Sequence, residues 1–182
     1  LDELTLRVSY GTSGNQDVGG SWYASRGLYG FGYNYNSQPG SYRQQAGNPD
    51  LKWEQTAKFN VGVDLALWER RVNVEFDYYR HLTKDMVFNV PLSFTSGMSS
   101  IPTNVGELEN KGFEFSISSK NFRGGAFTWD TDFNISFNRN KLTKLELQKV
   151  YYDAKTADVV NDYVVRNEPG RALGGFYGYI SD

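Results

Sequence analysis

Two features of the sequence invite a search for catalysis. Glu107 and Glu109 lie close together in a stretch rich in glycine and asparagine, and paired carboxylates do the acid and base work of glycoside hydrolases. His81 is the only histidine of the chain, so it would have to act alone as a general base. A solvated loop accounts for the two glutamates, and a polar position at a strand end accounts for His81. The sequence therefore predicts no catalytic site and a protein that is not an enzyme.

The residues that could bind a metal ion or a nucleic acid show no ordered pattern either. The chain contains no cysteine, which excludes disulfides and thiolate metal sites. Its net charge is −2, with acidic and basic residues mixed, unlike the basic footprint of a nucleic-acid-binding protein. We therefore expect no metal, no cofactor and no nucleic-acid partner. A Ca²⁺-binding loop needs oxygen ligands at an ordered spacing. The candidate oxygen ligands lack that spacing; they are Asn48, Asp50, Asp153, Asp158 and Asp162.

A group of aromatic residues offers binding chemistry instead. Aromatic faces beside asparagine and glutamine suit ligands that are apolar on one side and polar on another, such as sugar rings and peptide side chains. Packing against neighbouring loops or a partner protein is the alternative use of the same side chains. The predicted substrate-binding residues are Trp22, Tyr23, Tyr29, Phe31, Tyr33, Tyr35 and Tyr42.

The elements that must position these residues are β-strands. From Thr56 to Arg80, apolar residues alternate with polar ones on both sides of a turn at 68–71. A period of two predicts a β-hairpin with one apolar and one polar face. The same pattern predicts strands near 3–10, 56–67, 72–81, 112–119 and 126–138, with long loops near 11–55, 82–111 and 141–175.

Alternation alone fits two architectures. A soluble β-sandwich, such as a carbohydrate-binding module, buries the apolar face, whereas a transmembrane barrel turns it to lipid. The strands have about the length that a tilted strand needs to cross a bilayer, and long loops alternate with short turns, as in outer-membrane barrels. About five clear strands are fewer than the eight of the smallest single-chain bacterial barrels. The sequence therefore favours an all-β fold, a segment of a larger antiparallel transmembrane β-barrel.

On this interpretation, the polar face of the strands lines the lumen of the barrel. Alternate residues of a barrel strand face lipid and a wet interior. The predicted lumen-facing residues are Lys58, Asn60, Asp64, Glu75, Asp77, Glu114, Asp130 and Asp132.

Several segments, in this order, resemble one family. They are LRVSYGTSGNQ (6–16), NPDLKWEQTAKFNVGVDLAL (48–67), VNVEFDYYRHLTKDM (72–86), VPLSFTSGMSS (90–100), NVGELENKGFEFSI (104–117), FTWDTDFNISFNRNKL (127–142) and EPGRALGGFYGY (168–179). Together they resemble the C-terminal half of the barrel of a SusC/RagA-type TonB-dependent outer-membrane transporter of Bacteroidetes.

The resemblance implies a large plugged barrel in the bacterial outer membrane, with the lipid bilayer around it. Members of the family import glycans, oligosaccharides or peptides. They work with a SusD-like surface lipoprotein that acts as a lid, and the TonB complex supplies energy by pulling on the plug. The chain shows no plug domain and no TonB box, so we expect both to belong to a longer protein.

Overall fold

The structure, a computed structural model, describes residues 1–17, 22–146, 151–155, 163–176 and 178. It confirms the all-β fold. A short 3₁₀ helix spans Phe94–Ser96, and among the described residues no helix is long and apolar enough to cross a membrane. The strands are β1 (Glu3–Asn15), β2 (Leu28–Tyr35), β3 (Gln38–Gln45), β4 (Glu54–Leu67), β5 (Val72–Pro91), β6 (Ser100–Gly124), β7 (Phe127–Leu145), β8 (Tyr151–Lys155), β9 (Tyr163–Asn167) and β10 (Gly175–Phe176).

Most of these strands belong to one five-stranded sheet with the order β1-β4-β5-β6-β7. β2 and β3 form an antiparallel hairpin of their own, which is why β1 pairs with β4 rather than with its neighbour in sequence. A third sheet has the order β10-β9-β8. The long connection between β1 and β4 thus carries a separate small sheet.

The chain divides into two compact units. The first unit comprises residues 1–13, 57–82 and 109–141, and the second comprises residues 14–56, 83–108 and 142–182. All residues of the first unit are described.

The apolar side chains of the first unit lie on one face of its strands, and we call this face the apolar row. It includes Val61, Val63, Phe76, Phe113, Phe133 and Phe137. The rings of Phe76 and Phe113 stack with their centroids 6.2 Å apart, and those of Phe113 and Phe137 are 4.8 Å apart. These contacts place β5, β6 and β7 in a register that puts their apolar residues on the same face. The residues between them form the polar row on the opposite face.

The apolar row is not buried. A sandwich would cover it with a second sheet, but within the first unit Phe76 is 42% exposed and Phe133 is 51% exposed. Val61 and Val63 are only partly buried. Among the described residues no second layer covers this face, in contrast to the buried face that the sandwich alternative predicts. Buried apolar side chains in the described part of the chain are the small or isolated ones, Ala24, Ala46, Ala66, Val105 and Leu142.

The strands are longer than the alternation predicts. β5 continues to Pro91 and β6 begins at Ser100, so most of the stretch 82–111, predicted as a loop, is strand. β7 likewise extends to Leu145. Alternation marks a strand only where its two faces meet different surroundings. In β5 the polar run Thr83-Lys84-Asp85 interrupts that signal, although the strand continues through it.

The other predicted loops also contain strands. The stretch 11–55 holds the end of β1 and the β2–β3 hairpin. β1 continues to Asn15, whose Nδ2 donates to Oε2 of Glu54 at 3.2 Å. The stretch 141–175 holds β8 and β9; its residues 147–150 and 156–162 lie outside the described residues.

β4 and β5 are joined by a tight turn with an unusual backbone. φ is 52° at Trp68, 55° at Glu69 and 58° at Arg70, a left-handed conformation that L-residues avoid. Two acidic residues hold this turn. The Arg70 N–H donates to Oδ2 of Asp2 at 3.0 Å, and its Nη2 donates to Oε2 of Glu3 at 2.8 Å. Such contacts offset the strain of the turn.

We expect Glu69→Gly to raise the free energy of unfolding by up to about 1 kcal/mol, because glycine has no Cβ to clash in a left-handed conformation. Glu69→Ala is the control, since it removes the same carboxylate and keeps the Cβ. The measurement is the urea midpoint of the full-length protein. Equal midpoints for the two variants would contradict strain at this turn.

Candidate functional site

Three charged side chains from three neighbouring strands meet on the polar row. Nη2 of Arg7 in β1 lies 2.6 Å from Oδ1 of Asp64 in β4 and 3.2 Å from Oδ2 of Asp77 in β5. The structure therefore brings together two of the predicted lumen-facing carboxylates. Sequence reasoning missed Arg7, although Arg7 stands between Leu6 and Val8 in the polar phase of β1.

A glycine makes room for this cluster. A Cβ at Gly62 would collide with the carboxylate of Asp77 and would lie 3.0 Å from Nη2 of Arg7. All three charged side chains keep between a third and a half of their surface exposed, so the ion pairs contribute little to stability. Their effect is to hold fixed charges of both signs on the polar face of the sheet.

A second polar group lies beside the first. Asn60 donates from Nδ2 to Oγ of Ser9 at 3.1 Å, and its Oδ1 lies 3.3 Å from Nε2 of His81. The rings of His81 and Tyr79 have their centroids 5.2 Å apart. The Tyr79 hydroxyl lies 2.6 Å from the position of a Cβ on Gly112, so Tyr79 covers the backbone of β6. His81 is therefore not at a strand end, as predicted, but inside β5 on the polar row.

These two groups line one shallow depression. It is bounded by Arg7, Asn60, Asp77, Tyr79 and His81, together with Tyr78, Asn110, Glu114 and Asn138. The depression combines carboxylates, amides, a guanidinium and three aromatic rings. Such a surface can hydrogen-bond to hydroxyl or amide groups and can stack on a ring.

The remaining predicted lumen-facing residues are placed separately. Glu75 accepts a hydrogen bond from Oγ of Ser116 at 3.3 Å. Asp130 pairs with Arg123 at 3.3 Å, close to the turn between β6 and β7. Lys58 and Asp132 are exposed. Of the eight predicted residues, the depression therefore collects Asn60, Asp77 and Glu114, with Asp64 joined to it through Arg7.

The predicted aromatic binding residues lie on the β2–β3 hairpin and the turn before it. The register of the hairpin shifts between Phe31 and Tyr33, where Gly32 has a φ of 96°. This irregularity leaves Tyr29 and Phe31 on one face and turns Tyr33 to the other. There the ring of Tyr33 meets the ring of Tyr42 edge to face, 4.6 Å between centroids. Simple alternation would have put all these residues on one face.

The two faces of the hairpin differ in exposure and in contacts. Phe31 is 80% exposed and Tyr29 is 61% exposed, so both rings are open to a ligand. Tyr42 is packed over Gly30, whose Cβ would overlap the Tyr42 ring. Partial burial, with a smaller contribution from Tyr33, raises the pKa of the Tyr42 phenol. Tyr42 therefore serves the packing of the hairpin.

The turn that carries the other two aromatic residues is held by a glutamine. The Gln45 amide nitrogen lies within 3.1 Å of the carbonyl oxygens of Tyr23, Ala24 and Arg26. The guanidinium of Arg26 lies 5.9 Å from the Tyr23 ring centroid. Trp22 is 94% exposed. No sequence signal distinguishes Gln45 from the other amides of this stretch, and sequence reasoning missed it.

Glu109, one of the two carboxylates considered for hydrolysis, is held by two cations. Oε1 of Glu109 accepts from Nε of Arg80 at 3.0 Å and lies 3.4 Å from Nζ of Lys111. A carboxylate held by two cations stays ionised and is a poor general acid. Within the described residues, no group of three or more histidine, cysteine or acidic side chains could hold a metal. Asp158 and Asp162 lie outside the described residues.

Known proteins resemble this chain over nearly its whole length. A family model described as TonB dependent receptor-like, beta-barrel, matches residues 1–179. A TonB-dependent receptor of Formosa agariphila is 41% identical over 179 residues, which cover 98% of this chain and 16% of that protein. The TonB-dependent receptor SusC of Bacteroides thetaiotaomicron is 33% identical over 191 residues, with 98% of this chain and 19% of SusC covered.

A solved structure is also similar to this chain over most of its length. A chain of the RagAB peptide transporter superposes on 92% of this chain with a TM-score of 0.78 and 30% sequence identity. The match covers 18% of that chain. This chain therefore spans less than a fifth of the length of each of these relatives.

We expect Gly62→Ala to lower the free energy of unfolding by about 0.5–1 kcal/mol, because the added methyl group displaces the side-chain ends of Asp77 and Arg7 and separates their partly exposed charges. Gly11→Ala is the control: it lies in β1 of the same sheet, and nothing lies within 4 Å of its added Cβ. Urea unfolding of the full-length variants measures both. Equal losses for the two variants would show that the Arg7 cluster does not need the space at Gly62.

Proposed function

We propose that this chain, which belongs to the TonB-dependent receptor β-barrel family, forms one sector of the wall of an outer-membrane importer. The family match confirms the resemblance drawn from the sequence segments. The observation that carries the proposal is the exposed apolar row of the first unit, with Phe133 51% exposed and Phe137 52% exposed. Apolar patches of this kind on a sheet whose other face is polar fit contact with lipid.

The two faces of the sheet take different roles in this proposal. The apolar row faces the bilayer, and the polar row with Arg7, Asp64 and Asp77 faces the lumen. The tight turns after β4 and β6 are periplasmic, since outer-membrane barrels have short turns on that side and longer loops outside. β5 and β6 span 20 and 25 residues, about twice what a tilted strand needs to cross the membrane. Their outer parts therefore project beyond the bilayer.

We expect the full-length protein to sediment with the outer membrane and to require detergent for extraction, because the apolar row needs an apolar environment. The measurement is fractionation of cells that express it, with a periplasmic enzyme and an inner-membrane enzyme as markers. Recovery of the folded protein in the soluble fraction would contradict the barrel assignment.

The proposed cargo is an oligomer, either a glycan or a peptide. One relative is named SusC and another belongs to a peptide transporter. The open face of the β2–β3 hairpin supports contact with such a cargo, since Tyr29 and Phe31 present exposed rings and Tyr29 pairs across the hairpin with Arg43. Aromatic faces next to polar groups bind sugar rings and peptide side chains alike. A SusD-like lipoprotein would cover the outer side, and the TonB complex would act through the plug of the full-length protein.

We expect the double variant Tyr29→Ser, Phe31→Ser to bind cargo roughly tenfold more weakly, since each aromatic contact contributes about 0.5–1.5 kcal/mol. The packing of Tyr33 on Tyr42 lies on the other face and should keep the hairpin folded. Binding to the full-length protein is measured by calorimetry against two probes, a mixture of neutral oligosaccharides and a tryptic peptide digest. The probe that binds identifies the cargo class.

Two exposed aromatic residues outside the hairpin provide the control. Trp68 is 68% exposed and Phe122 is 52% exposed, and the variant Trp68→Ser, Phe122→Ser removes a similar area of ring. It should bind the same probe as the unmodified protein does. Unchanged binding by the hairpin variant, or equal weakening by both variants, would remove the hairpin from the cargo site.

A further inference from the structure

Three neighbouring strands change from aromatic to cationic residues at the same level of the sheet. In β5, Arg80 follows Tyr78 by two residues; in β6, Lys111 precedes Phe113 by two; in β7, Arg139 follows Phe137 by two. Because β6 runs opposite to its neighbours, all three steps lead toward the same end of the sheet. Each step of two residues is about 6.6 Å along a strand. Lys141 adds a fourth cation one step further along β7.

The positions of the neighbouring residues show which face these cations occupy. Tyr79 lies over Gly112, and Asn138 lines the depression of the polar row. Because successive side chains of a strand point to opposite faces, Arg80, Lys111 and Arg139 lie on the face of the apolar row. We call Arg80, Lys111, Arg139 and Lys141 the cationic rim.

The contacts within the rim confirm that the strands are in register there. Oε1 of Glu109 accepts from Nε of Arg80 at 3.0 Å and lies 3.4 Å from Nζ of Lys111. Glu109 is the residue two before Lys111 in β6, and its side chain is only 13% exposed. Arg80 and Lys111 remain about half exposed. The carboxylate thus positions two cations side by side and leaves both open to solvent.

The rim has more positive charge than its own carboxylate can neutralise. Within the part of the chain that the structure describes, Arg139 and Lys141 form no ion pair, and both are exposed. The hydrogen bond of Arg80 to Glu109 uses Nε, and no hydrogen bond among the described residues uses its two Nη groups. A planar guanidinium with both Nη groups available matches the oxygens of a phosphate.

We propose that the cationic rim binds the phosphate groups of a membrane lipid whose acyl chains lie against the apolar row. This inference rests on the proposed function, which places the apolar row in lipid and the rim toward the outer surface. A lipid with a phosphorylated sugar headgroup fits both parts, because acyl chains cover Phe113 and Phe137 while phosphates meet the cations about one strand step above them. Basic side chains next to a membrane-spanning apolar surface bind anionic headgroups in this way.

The test measures lipid binding to the full-length protein. The variant Arg139→Gln, Lys141→Gln removes two charges without breaking an ion pair of the fold. The control is Lys58→Gln, Lys120→Gln, which removes two charges from exposed positions in the polar phase of β4 and β6. Native mass spectrometry of detergent-solubilised protein gives the affinity for bisphosphorylated lipid A and for the same lipid after enzymatic dephosphorylation.

We expect the rim variant to bind bisphosphorylated lipid A roughly 20- to 30-fold more weakly, at about fivefold for each charge, and the control to change by less than about twofold. Dephosphorylated lipid should bind the unmodified protein and the rim variant equally. Unchanged affinity in the rim variant, or equal losses in rim and control variants, would overturn the proposal. Loss of a co-purifying protein with lipid binding intact would also overturn it and assign the rim to a protein partner.

Failure of this inference is distinct from failure of the proposed function. All variants are first checked for recovery in the outer-membrane fraction. If the unmodified protein is absent from that fraction, the barrel assignment itself is wrong and the rim has no lipid to bind. If it is present there and lipid A binds without regard to the rim, the barrel assignment stands and the rim proposal is overturned.

Discussion

The strand period of two is the constraint on which the whole arrangement depends. Because neighbouring side chains point to opposite faces, one stretch of sequence must satisfy two different environments at once. In β6, the ring of Phe113 stacks on Phe76 and contacts Phe137 at a tilt. The residue before it, Gly112, is covered by Tyr79 on the other face. A shift of one residue would exchange these environments along the whole strand. Register is therefore fixed by both faces together.

Glycines on the polar row show how side chains cross between strands. At Gly62 and Gly112 a Cβ would overlap a side chain from the next strand, Asp77 in one case and Tyr79 in the other. The absent side chain lets the neighbouring side chain lie over the backbone of the glycine. Gly62 also leaves the space in which Arg7 lies between its two carboxylates, so the charges on this face are held in place.

The sequence predicted the parts of the fold where the two faces differ. The alternation of apolar and polar residues located the hairpin around Trp68 and the strand pair around Gly124, because it is regular on both sides of each turn. It did not predict that β5 continues beyond Leu82 to Pro91, because the polar run Thr83-Lys84-Asp85 interrupts the alternation there. It also could not show the register shift at Gly32, which depends on pairing with β3. The aromatic residues were found from composition, whereas their division between two faces required the pairing of strands.

The two edge strands of the five-stranded sheet bear on how long a protein the proposed barrel needs. β1 and β7 each have a neighbour on one side only within the sheet, and they span 13 and 19 residues. In lipid, unpaired backbone N–H and C=O groups cost several kcal/mol each, so membrane-spanning strands occur only in closed barrels. The proposed barrel therefore requires further strands beside β1 and β7. Relatives more than five times as long as the matched segment have the length to supply them, so the proposed lipid-facing surface is one sector of a ring rather than a sheet that stands alone.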